Sequence, residues 1–206
     1  MKNASLVCPV ALTIILGVIS LSSNNGYACT RAVYLGKEGQ TVTGRTMDWA
    51  EDMQTNLWIF PRGMARDGGL GKASLTWTSK YGSLVASVYE GGTADGMNEK
   101  GLVANMLYLA ESEYPAPTDT RPAVVITAWA QYLLDNFATV EEAVAELKKD
   151  SFRVVTVEAP NGAKGTVHVS ISDPSGDSAI FEYVKGKLVI HHDMKFQVMT
   201  NSPVFK

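Results

Sequence analysis

Cysteine is scarce in this 206-residue chain, which contains Cys8 and Cys29 and no other thiol. Cys8 lies within an apolar N-terminal stretch, so a chain processed after that stretch keeps a single cysteine. A single thiol excludes an internal disulfide and any metal site built from several cysteines. A lone cysteine in an exported protein calls for a functional hypothesis.

Several catalytic and binding motifs are also missing. Basic residues are scattered and no basic run alternates with aromatic residues, which argues against a nucleic-acid partner. The sequence has no G-x-S-x-G turn and no H-E-x-x-H pair. Its three histidines, His168, His191 and His192, fall on predicted late strands, and we expect them to be surface or packing residues. Segments 67–72 and 173–177 predict plain turns rather than phosphate-binding or calcium-binding loops.

The longest apolar run covers residues 7–21 and follows a single positive charge at Lys2. This run is too short for a membrane span. Small residues, Gly26 and Ala28, occupy the minus-three and minus-one positions of a cleavage site. The pattern predicts a signal peptide over residues 1–28 that signal peptidase removes, and therefore an exported protein in the periplasm or the medium.

Cleavage after Ala28 would leave Cys29 with both a thiol and a free α-amine. An α-amine has a pKa of about 7.7–8.0, so roughly a fifth or less is unprotonated at neutral pH. It can accept the thiol's proton directly or through one water and later donate it to a leaving amine. Two alternatives stay open, a small core cysteine and the lipid-bearing cysteine of an exported binding module. The lipoprotein alternative expects an aliphatic residue where Gly26 stands, which weakens it.

The mature segment, residues 29–206, has the size of one domain and a net charge of −4 once Lys2 is removed. It begins with a predicted hairpin, Cys29 to Leu35 and Gln40 to Asp48. The end of the return strand lies near the start of the first, so Arg45 and Asp48 can sit beside Cys29. An arginine there favours the thiolate and a carboxylate can orient the α-amine. The alternative is that both are solvated charges at a strand end.

Helices are predicted only in the middle of the segment. Apolar spacing predicts one from Arg121 to Phe137, and Thr139 with Glu142 forms a capping box for a second that ends near Lys149. Residues 95–102 predict a polar turn. Further strands are predicted at 57–60, 73–78, 83–89, 102–109, 152–157, 166–172, 178–184, 187–192 and 196–201. This order indicates a layered α+β domain with helices packed on mainly antiparallel sheets.

Four short motifs occur in order along the segment: Cys29-Thr30-Arg31, then Gly-Arg-Thr-Met-Asp-Trp at 44–49, Met-Asn-Glu-Lys-Gly-Leu at 97–102 and Thr-Asn-Ser-Pro at 200–203. Together they resemble the choloylglycine hydrolase and penicillin V acylase family over residues 29 to 206. That family is a branch of the N-terminal nucleophile hydrolases, which implies a four-layer αββα sandwich. Its members cleave linear amides such as conjugated bile salts, penicillin V and, in some exported Gram-negative relatives, N-acyl homoserine lactones.

The resemblance also implies roles for particular residues, with a small acyl amide as substrate and no metal or organic cofactor. Cys29 would be nucleophile and, through its amine, general base. Arg45 would stabilise the thiolate and Asp48 would hold the α-amine. The oxyanion would be bound by the side-chain amide of Asn201 and by the backbone amide of Tyr108, a residue type more typical of penicillin acylases than of bile salt hydrolases.

Trp49 would line the acyl pocket, or else pack in the core.

Family chains continue well past the asparagine-bearing strand, whereas this sequence stops at Lys206. The resemblance therefore implies a sandwich that is truncated at its C-terminus and exposes sheet surface or an edge. We expect the segment alone to be marginally stable and poorly active, and a dead paralogue that binds acyl compounds stays an alternative. The exact amide and any homo-oligomer are left open.

Overall fold

A computed structural model describes residues 29–158, 162 and 164–206, and the predicted signal peptide lies outside them. The described part contains fourteen strands, two α-helices and one short 3-10 helix at Gly71–Ala73. The strands are β1 Thr30–Leu35, β2 Thr41–Thr46, β3 Leu57–Phe60, β4 Ala65–Asp67, β5 Thr76–Thr78, β6 Ser83–Val88, β7 Gly92–Asn98, β8 Val103–Tyr108, β9 Ala123–Val125, β10 Arg153–Val155, β11 Val167–Ser172, β12 Ser178–Val184, β13 Lys187–His192 and β14 Val198–Thr200. The helices are α1 Ile126–Asn136 and α2 Val140–Leu147.

The largest layer is a seven-stranded antiparallel sheet in the order β13-β12-β11-β8-β7-β6-β3. Side chains alternate between the two faces of a strand. On one face Val169, Ile171 and Phe181 are fully buried in the main apolar core, together with Trp129 and Leu133 of α1. The alternation of strand residues thus gives the helices an apolar sheet face to pack on.

The opposite face of this sheet carries a second, three-stranded antiparallel sheet in the order β14-β1-β2. Polar contacts join the two sheets: Arg31 donates to the carbonyl oxygen of Ile171 at 3.0 Å, and the hydroxyls of Thr43 and Ser172 lie 2.7 Å apart. The described residues therefore stack helices, a seven-stranded sheet and a three-stranded sheet. This arrangement confirms the predicted α+β class and corresponds to part of an αββα sandwich.

The predicted helix from Arg121 to Phe137 is wrong in its first part. Ala123–Val125 form β9, which pairs in parallel with β10, and α1 begins only at Ile126. Pro122 disfavours helical backbone in the residue before it. The two valines of β9 are buried against neighbouring strands, and this tertiary pairing prevails over the helical spacing.

Thr139 is the N-cap of α2 as predicted, although Glu142 accepts from the residue before the cap instead of from Thr139 itself. Thr139 Oγ1 accepts a hydrogen bond from the backbone N–H of Glu142 at 3.2 Å, and Glu142 Oε2 accepts one from Ala138 N at 2.8 Å. A third end amide, Val140 N, donates to Asp173 Oδ2 at 2.9 Å. The turn at 173–177 therefore also fixes the start of α2 against the seven-stranded sheet.

The predicted polar turn over 95–102 is too long. Its first four residues belong to β7, and the turn proper spans Asn98 to Leu102, where Asn98 Oδ1 accepts from the backbone of Leu102 at 3.1 Å. Asp and Gly are uncommon in strands, which is why the sequence pattern missed β7. The strand also contains one residue more than its partner, since Asp95 lies opposite Ala86 while Thr93 lies opposite Ser87. The extra residue, Ala94, marks a β-bulge.

The histidines are packing or surface residues. His168 is buried, with Nδ1 2.8 Å from Glu182 Oε1, and the more exposed His192 lies 2.8 Å from Asp177 Oδ2.

No helix in the described part of the chain is both long and apolar enough to cross a membrane. Two apolar side chains on the edge strand β3, Leu57 and Ile59, are 73% and 80% exposed.

Candidate active site

The three-stranded sheet places Cys29 between two other strands. Thr30 pairs with Thr46 on β2 and with Thr200 on β14. Both ladders end at Thr30, and Cys29 precedes it at the end of the sheet where Met47 follows β2 and Asn201 follows β14. The central position of β1 thus joins the start of the segment to residues about 170 positions later.

The thiol of Cys29 is free and almost completely buried. It packs in a small apolar cluster with Leu107, Ile180 and Met199, which lies between the two sheets. Its sulfur is 4.0 Å from the carbonyl oxygen of Asp48. The thiol also borders a cavity of about 630 Å³, so a substrate in that cavity can reach it.

Arg45 lies on the same face of its sheet as Cys29, because Arg45 is directly opposite Arg31 and strand residues two apart share a face. Diagonal neighbours of this kind have Cβ atoms about 7–8 Å apart, within reach of an arginine side chain. Its Nη2 donates to the carbonyl oxygen of Met106 at 2.7 Å, and its Nη1 lies 3.1 Å from Asp95 Oδ2. The guanidinium therefore lines the same cavity as Cys29 and bridges towards the seven-stranded sheet.

Asp48 is exposed and lies just past the end of β2. Its Oδ2 accepts a hydrogen bond from the hydroxyl of Thr46 at 3.2 Å, and that hydroxyl oxygen accepts one from the backbone N–H of Thr30 at 3.1 Å. The carboxylate is thus linked through one side chain to the amide next to Cys29. This geometry suits a group that orients the amine of residue 29.

The two predicted oxyanion donors lie at the ends of two strands, Tyr108 at the end of β8 and Asn201 just past the end of β14. Leu109 N donates to the carbonyl oxygen of Thr166 at 3.0 Å, so the N–H of Tyr108 points away from β11, because successive residues alternate their hydrogen-bonding direction. The carbonyl oxygen of Met106, two residues earlier on the same strand, points to the same side as the N–H of Tyr108. This carbonyl accepts a hydrogen bond from Arg45. The N–H of Tyr108 therefore points to the side where Arg45 lies, and Asn201 is buried at the end of β14.

Trp49 borders the cavity. Its ring centroid is 5.9 Å from that of Tyr108, and its Nε1 donates to the hydroxyl of Tyr89 at 2.9 Å. Most other wall residues are apolar: Met47, Met53, Val88, Met106, Leu107, Ile126 and Val157. Lys164 and Glu158 stand at the wall as well. The cavity is large enough for a small organic molecule and offers mainly apolar and aromatic contacts.

Sequence reasoning located Cys29, Arg45, Asp48 and Trp49, which the structure brings to one end of the β1–β2 hairpin. It missed Asp95 and Tyr89. Both come from the β6–β7 hairpin, whose second strand is rich in glycine and polar residues and gave no strand signal. In the part of the chain that the structure describes, no cluster of three or more His, Cys, Asp or Glu could hold a metal ion.

A model of the family of linear amide C–N hydrolases, choloylglycine hydrolase family, matches residues 29–206. The chain belongs to this family. Over 98% of its length it is 52% identical to a penicillin V acylase from Pectobacterium atrosepticum, and it covers 55% of that protein. It is 30% identical to a bile salt hydrolase/transferase from Clostridium perfringens over 86% of its length, covering 54% of that enzyme.

Solved structures of family members have the same fold. A penicillin V acylase from Agrobacterium tumefaciens superposes with a TM-score of 0.80 and 58% identity, over 86% of this chain and 53% of that one. A conjugated bile acid hydrolase from Clostridium perfringens superposes with a TM-score of 0.74 and 28% identity, covering 54% of that chain. The chain thus spans about half the length of the choloylglycine hydrolase relatives that it matches. The predicted family and the N-terminal nucleophile hydrolase fold are confirmed.

Proposed function

We propose that this protein hydrolyses linear amide C–N bonds with Cys29 as the nucleophile. The observation that carries the proposal is the convergence of Cys29, Arg45 and the N–H of Tyr108 on one cavity. The relatives described as a penicillin V acylase and a bile salt hydrolase support the same reaction class. The proposal is for an exported protein in the periplasm or the medium, in which signal peptidase has removed residues 1–28.

The reaction consists of two acyl transfers. The α-amine of Cys29 takes the proton of its own thiol, and the thiolate attacks the amide carbonyl carbon. Arg45 favours the thiolate, and Asp48, whose carboxylate accepts from Thr46 at the same strand end, orients the amine. The C–N bond breaks as the ammonium of Cys29 returns the proton to the leaving amine. Water then attacks the thioester, releasing the acid and restoring the thiol.

Negative charge develops on the carbonyl oxygen in both steps. We assign to that oxygen the backbone N–H of Tyr108, a residue that lines the cavity with Cys29, and the side-chain amide of Asn201, just past the end of β14. Donors fixed in place before the reaction stabilise the charge without reorganisation, and one such donor is typically worth about 10²–10³ in rate. Strand ends suit this purpose because the two ladders already determine where the donors lie.

The walls of the cavity favour an amide with an apolar or aromatic acyl group. Trp49 and Tyr108 offer ring faces, and methionines supply adaptable apolar contacts. Penicillin V carries a phenoxyacetyl group of this kind. Its acylase from Pectobacterium is also more similar to this chain than the bile salt hydrolase is. We therefore propose penicillin V or a comparable aryl-acyl amide as substrate, ahead of conjugated bile salts.

Product analysis tests the proposal. Processed protein should release phenoxyacetic acid from penicillin V faster than glycine from glycocholate, and a Cys29→Ala variant should release neither above background. Thr30→Ser, a mild change at the next residue, serves as the matched control and should retain turnover. Equal rates for the Ala variant and the unchanged protein would refute the cysteine mechanism.

A further inference from the structure

Two arginines lie directly opposite each other in the β1–β2 hairpin, the buried Arg31 and the partly buried Arg45. Like charges in this position destabilise a strand pair. Arg31 is fully buried and donates to the carbonyl oxygens of Ile171 and Phe196 at 3.0 and 3.1 Å. Burial lowers the pKa of Arg31 to about 10. The hairpin therefore places a second positive charge next to Arg45, and the local fold needs a negative group nearby.

Asp95 supplies that negative group from the other sheet. Its Oδ2 lies 3.1 Å from Arg45 Nη1, and its Oδ1 accepts a hydrogen bond from Asn105 Nδ2 at 2.8 Å. The side chains of Arg45 and Asp95 are only 10% and 17% exposed. Burial raises the pKa of the Asp95 carboxyl, while Arg45 and Asn105 act to lower it. One carboxylate oxygen thus accepts a hydrogen bond, and the other forms the ion pair with Arg45.

The extra residue in β7 explains how Asp95 reaches Arg45. Because side chains alternate along a strand, inserting Ala94 shifts every later side chain of β7 to the other face. Asp95 then lies directly opposite Asn105 and shares its face. That face is the one on which the three-stranded sheet packs, so the bulge points a charged residue at the hairpin that carries Cys29.

The guanidinium of Arg45 is consequently held at two points, by Asp95 at Nη1 and by the carbonyl oxygen of Met106 at Nη2. Its Nε and Nη1 are buried and neither makes a hydrogen bond among the described residues, so Asp95 holds Nη1 as an ion pair. The side chain borders the cavity next to Cys29. One ion pair and one hydrogen bond therefore fix the guanidinium at the wall of that cavity.

We propose that Asp95 is a positioning residue: it holds the guanidinium of Arg45 in the orientation in which its charge favours the Cys29 thiolate. The inference rests on the proposed function, because it assigns Asp95 a part in that reaction. Asp95 touches neither thiol nor substrate and acts through Arg45. The buried negative charge by itself disfavours a thiolate, so orientation and charge predict opposite effects when Asp95 is neutralised.

Asp95→Asn is the informative change. An asparagine keeps one acceptor oxygen for Arg45, and its NH₂ can donate to Asn105 Oδ1, which makes no hydrogen bond among the described residues, but it carries no charge. The ion pair is therefore lost, which loosens the guanidinium. The thiol pKa of Cys29, measured from the pH dependence of its alkylation by iodoacetamide, should rise by about one unit. The value of kcat/KM for penicillin V should fall about 10–100-fold, mainly in kcat.

Asp135→Asn is the matched control. Asp135 is also a buried carboxylate beside an arginine, with Oδ2 3.2 Å from Arg66 Nε, but neither of the two borders the cavity of Cys29. This change should lower the free energy of unfolding without moving the thiol pKa. A second control is Asp95→Asn in an Arg45→Met background, where it should not raise the thiol pKa, since only the direct effect of removing a negative charge remains.

The alkylation measurement needs no amide turnover, so the two proposals fail separately. If no amide is hydrolysed but Asp95→Asn raises the thiol pKa, the proposed function fails and the positioning of Arg45 stands. A thiol pKa that is unchanged or lowered in Asp95→Asn overturns the positioning role, whatever happens to turnover. The same shift in the presence and absence of Arg45 would overturn it as well.

Discussion

The indole Nε1 of Trp49 donates a hydrogen bond to the hydroxyl of Tyr89 at 2.9 Å, and that hydroxyl in turn lies 2.5 Å from Glu51 Oε1. The chain of contacts connects the segment after β2 to the tip of the β6–β7 hairpin. Tyr89 has a positive φ of 50°, uncommon for an aromatic residue. The rim of the cavity is therefore held by one tyrosine that joins two loops far apart in sequence.

Removing this hydroxyl should weaken substrate binding. Tyr89→Phe keeps the ring but leaves the indole N–H of Trp49 without its acceptor, a loss of about 1 kcal/mol. We expect KM for penicillin V to rise about fivefold with little change in kcat, because the rim contacts substrate in both ground state and transition state. Tyr34→Phe, at an exposed tyrosine of β1, should change neither constant. A Tyr89→Phe enzyme that loses kcat alone would contradict a binding role.

Asn201 should matter to the rate rather than to substrate affinity. Asn201→Ala removes one of the two donors that we assign to the oxyanion, and kcat should fall about 10²–10³-fold. Thermal unfolding of the variant should show whether β14 still pairs with β1. A folded variant whose kcat is at least a third of that of the unchanged protein would exclude Asn201 from the oxyanion site.

Glu182 should contribute to stability instead of catalysis. Its carboxylate is fully buried, lies 2.8 Å from His168 Nδ1 and accepts from the backbone N–H of Phe205 at 3.0 Å. Phe205 N–H is shared between both oxygens, and His191 Nε2 lies 3.5 Å from Oε2. Glu182→Gln replaces one acceptor oxygen with a donor and removes the charge, so these contacts weaken, at a cost of about 1–3 kcal/mol in the free energy of unfolding. Chemical denaturation measures this loss. His192→Gln, which breaks a more exposed pair, should cost less than about 1 kcal/mol.

Acid should remove a stabilising contribution from Asp119. The side chain of Arg121 and its backbone N–H both donate to this carboxylate, which lowers the pKa of Asp119 from 3.8 to about 2. A carboxyl whose folded pKa lies below its unfolded value stabilises the fold above the unfolded pKa, and the contribution disappears as pH falls from about 4 to about 2. Asp119→Asn keeps an acceptor for the Arg121 N–H and cannot titrate.

The free energy of unfolding of Asp119→Asn should therefore depend less steeply on pH in this range than that of the unchanged protein. Denaturant titrations at pH 4, 3 and 2 measure the slope. Identical slopes for the two proteins would show that the Asp119–Arg121 pair is no stronger in the folded state than in the unfolded chain.

Local features of the sequence predicted most of what lies close together in the chain. A hairpin brings its two ends together by geometry alone, so Cys29, Arg45 and Asp48 could be grouped before the fold was known. The N-cap at Thr139 is equally local. Strand bounds were predicted within a few residues wherever β-branched residues alternated with polar ones.

The features that the sequence did not predict depend on pairing between strands far apart in the chain, which no local sequence pattern encodes. Ala123–Val125 were predicted as helix because the strand that pairs with them in parallel, Arg153–Val155, lies about thirty residues later. Asp95 read as part of a turn because its strand is rich in glycine and polar residues, and its role depends on a bulge and on contact with the other sheet. Only the resemblance, not the spacing, linked Asn201 to Cys29.

The central claim is that Cys29 is both the N-terminal residue and the nucleophile, and mass spectrometry of the exported protein tests it most directly. Protein quenched in acid within the first turnovers on penicillin V should begin at Cys29. It should carry a phenoxyacetyl group on that residue, which disappears on longer incubation and is absent when iodoacetamide has alkylated the thiol first. Full turnover by a chain that still retains Ala28, or by one with a lipid on Cys29, would contradict the account.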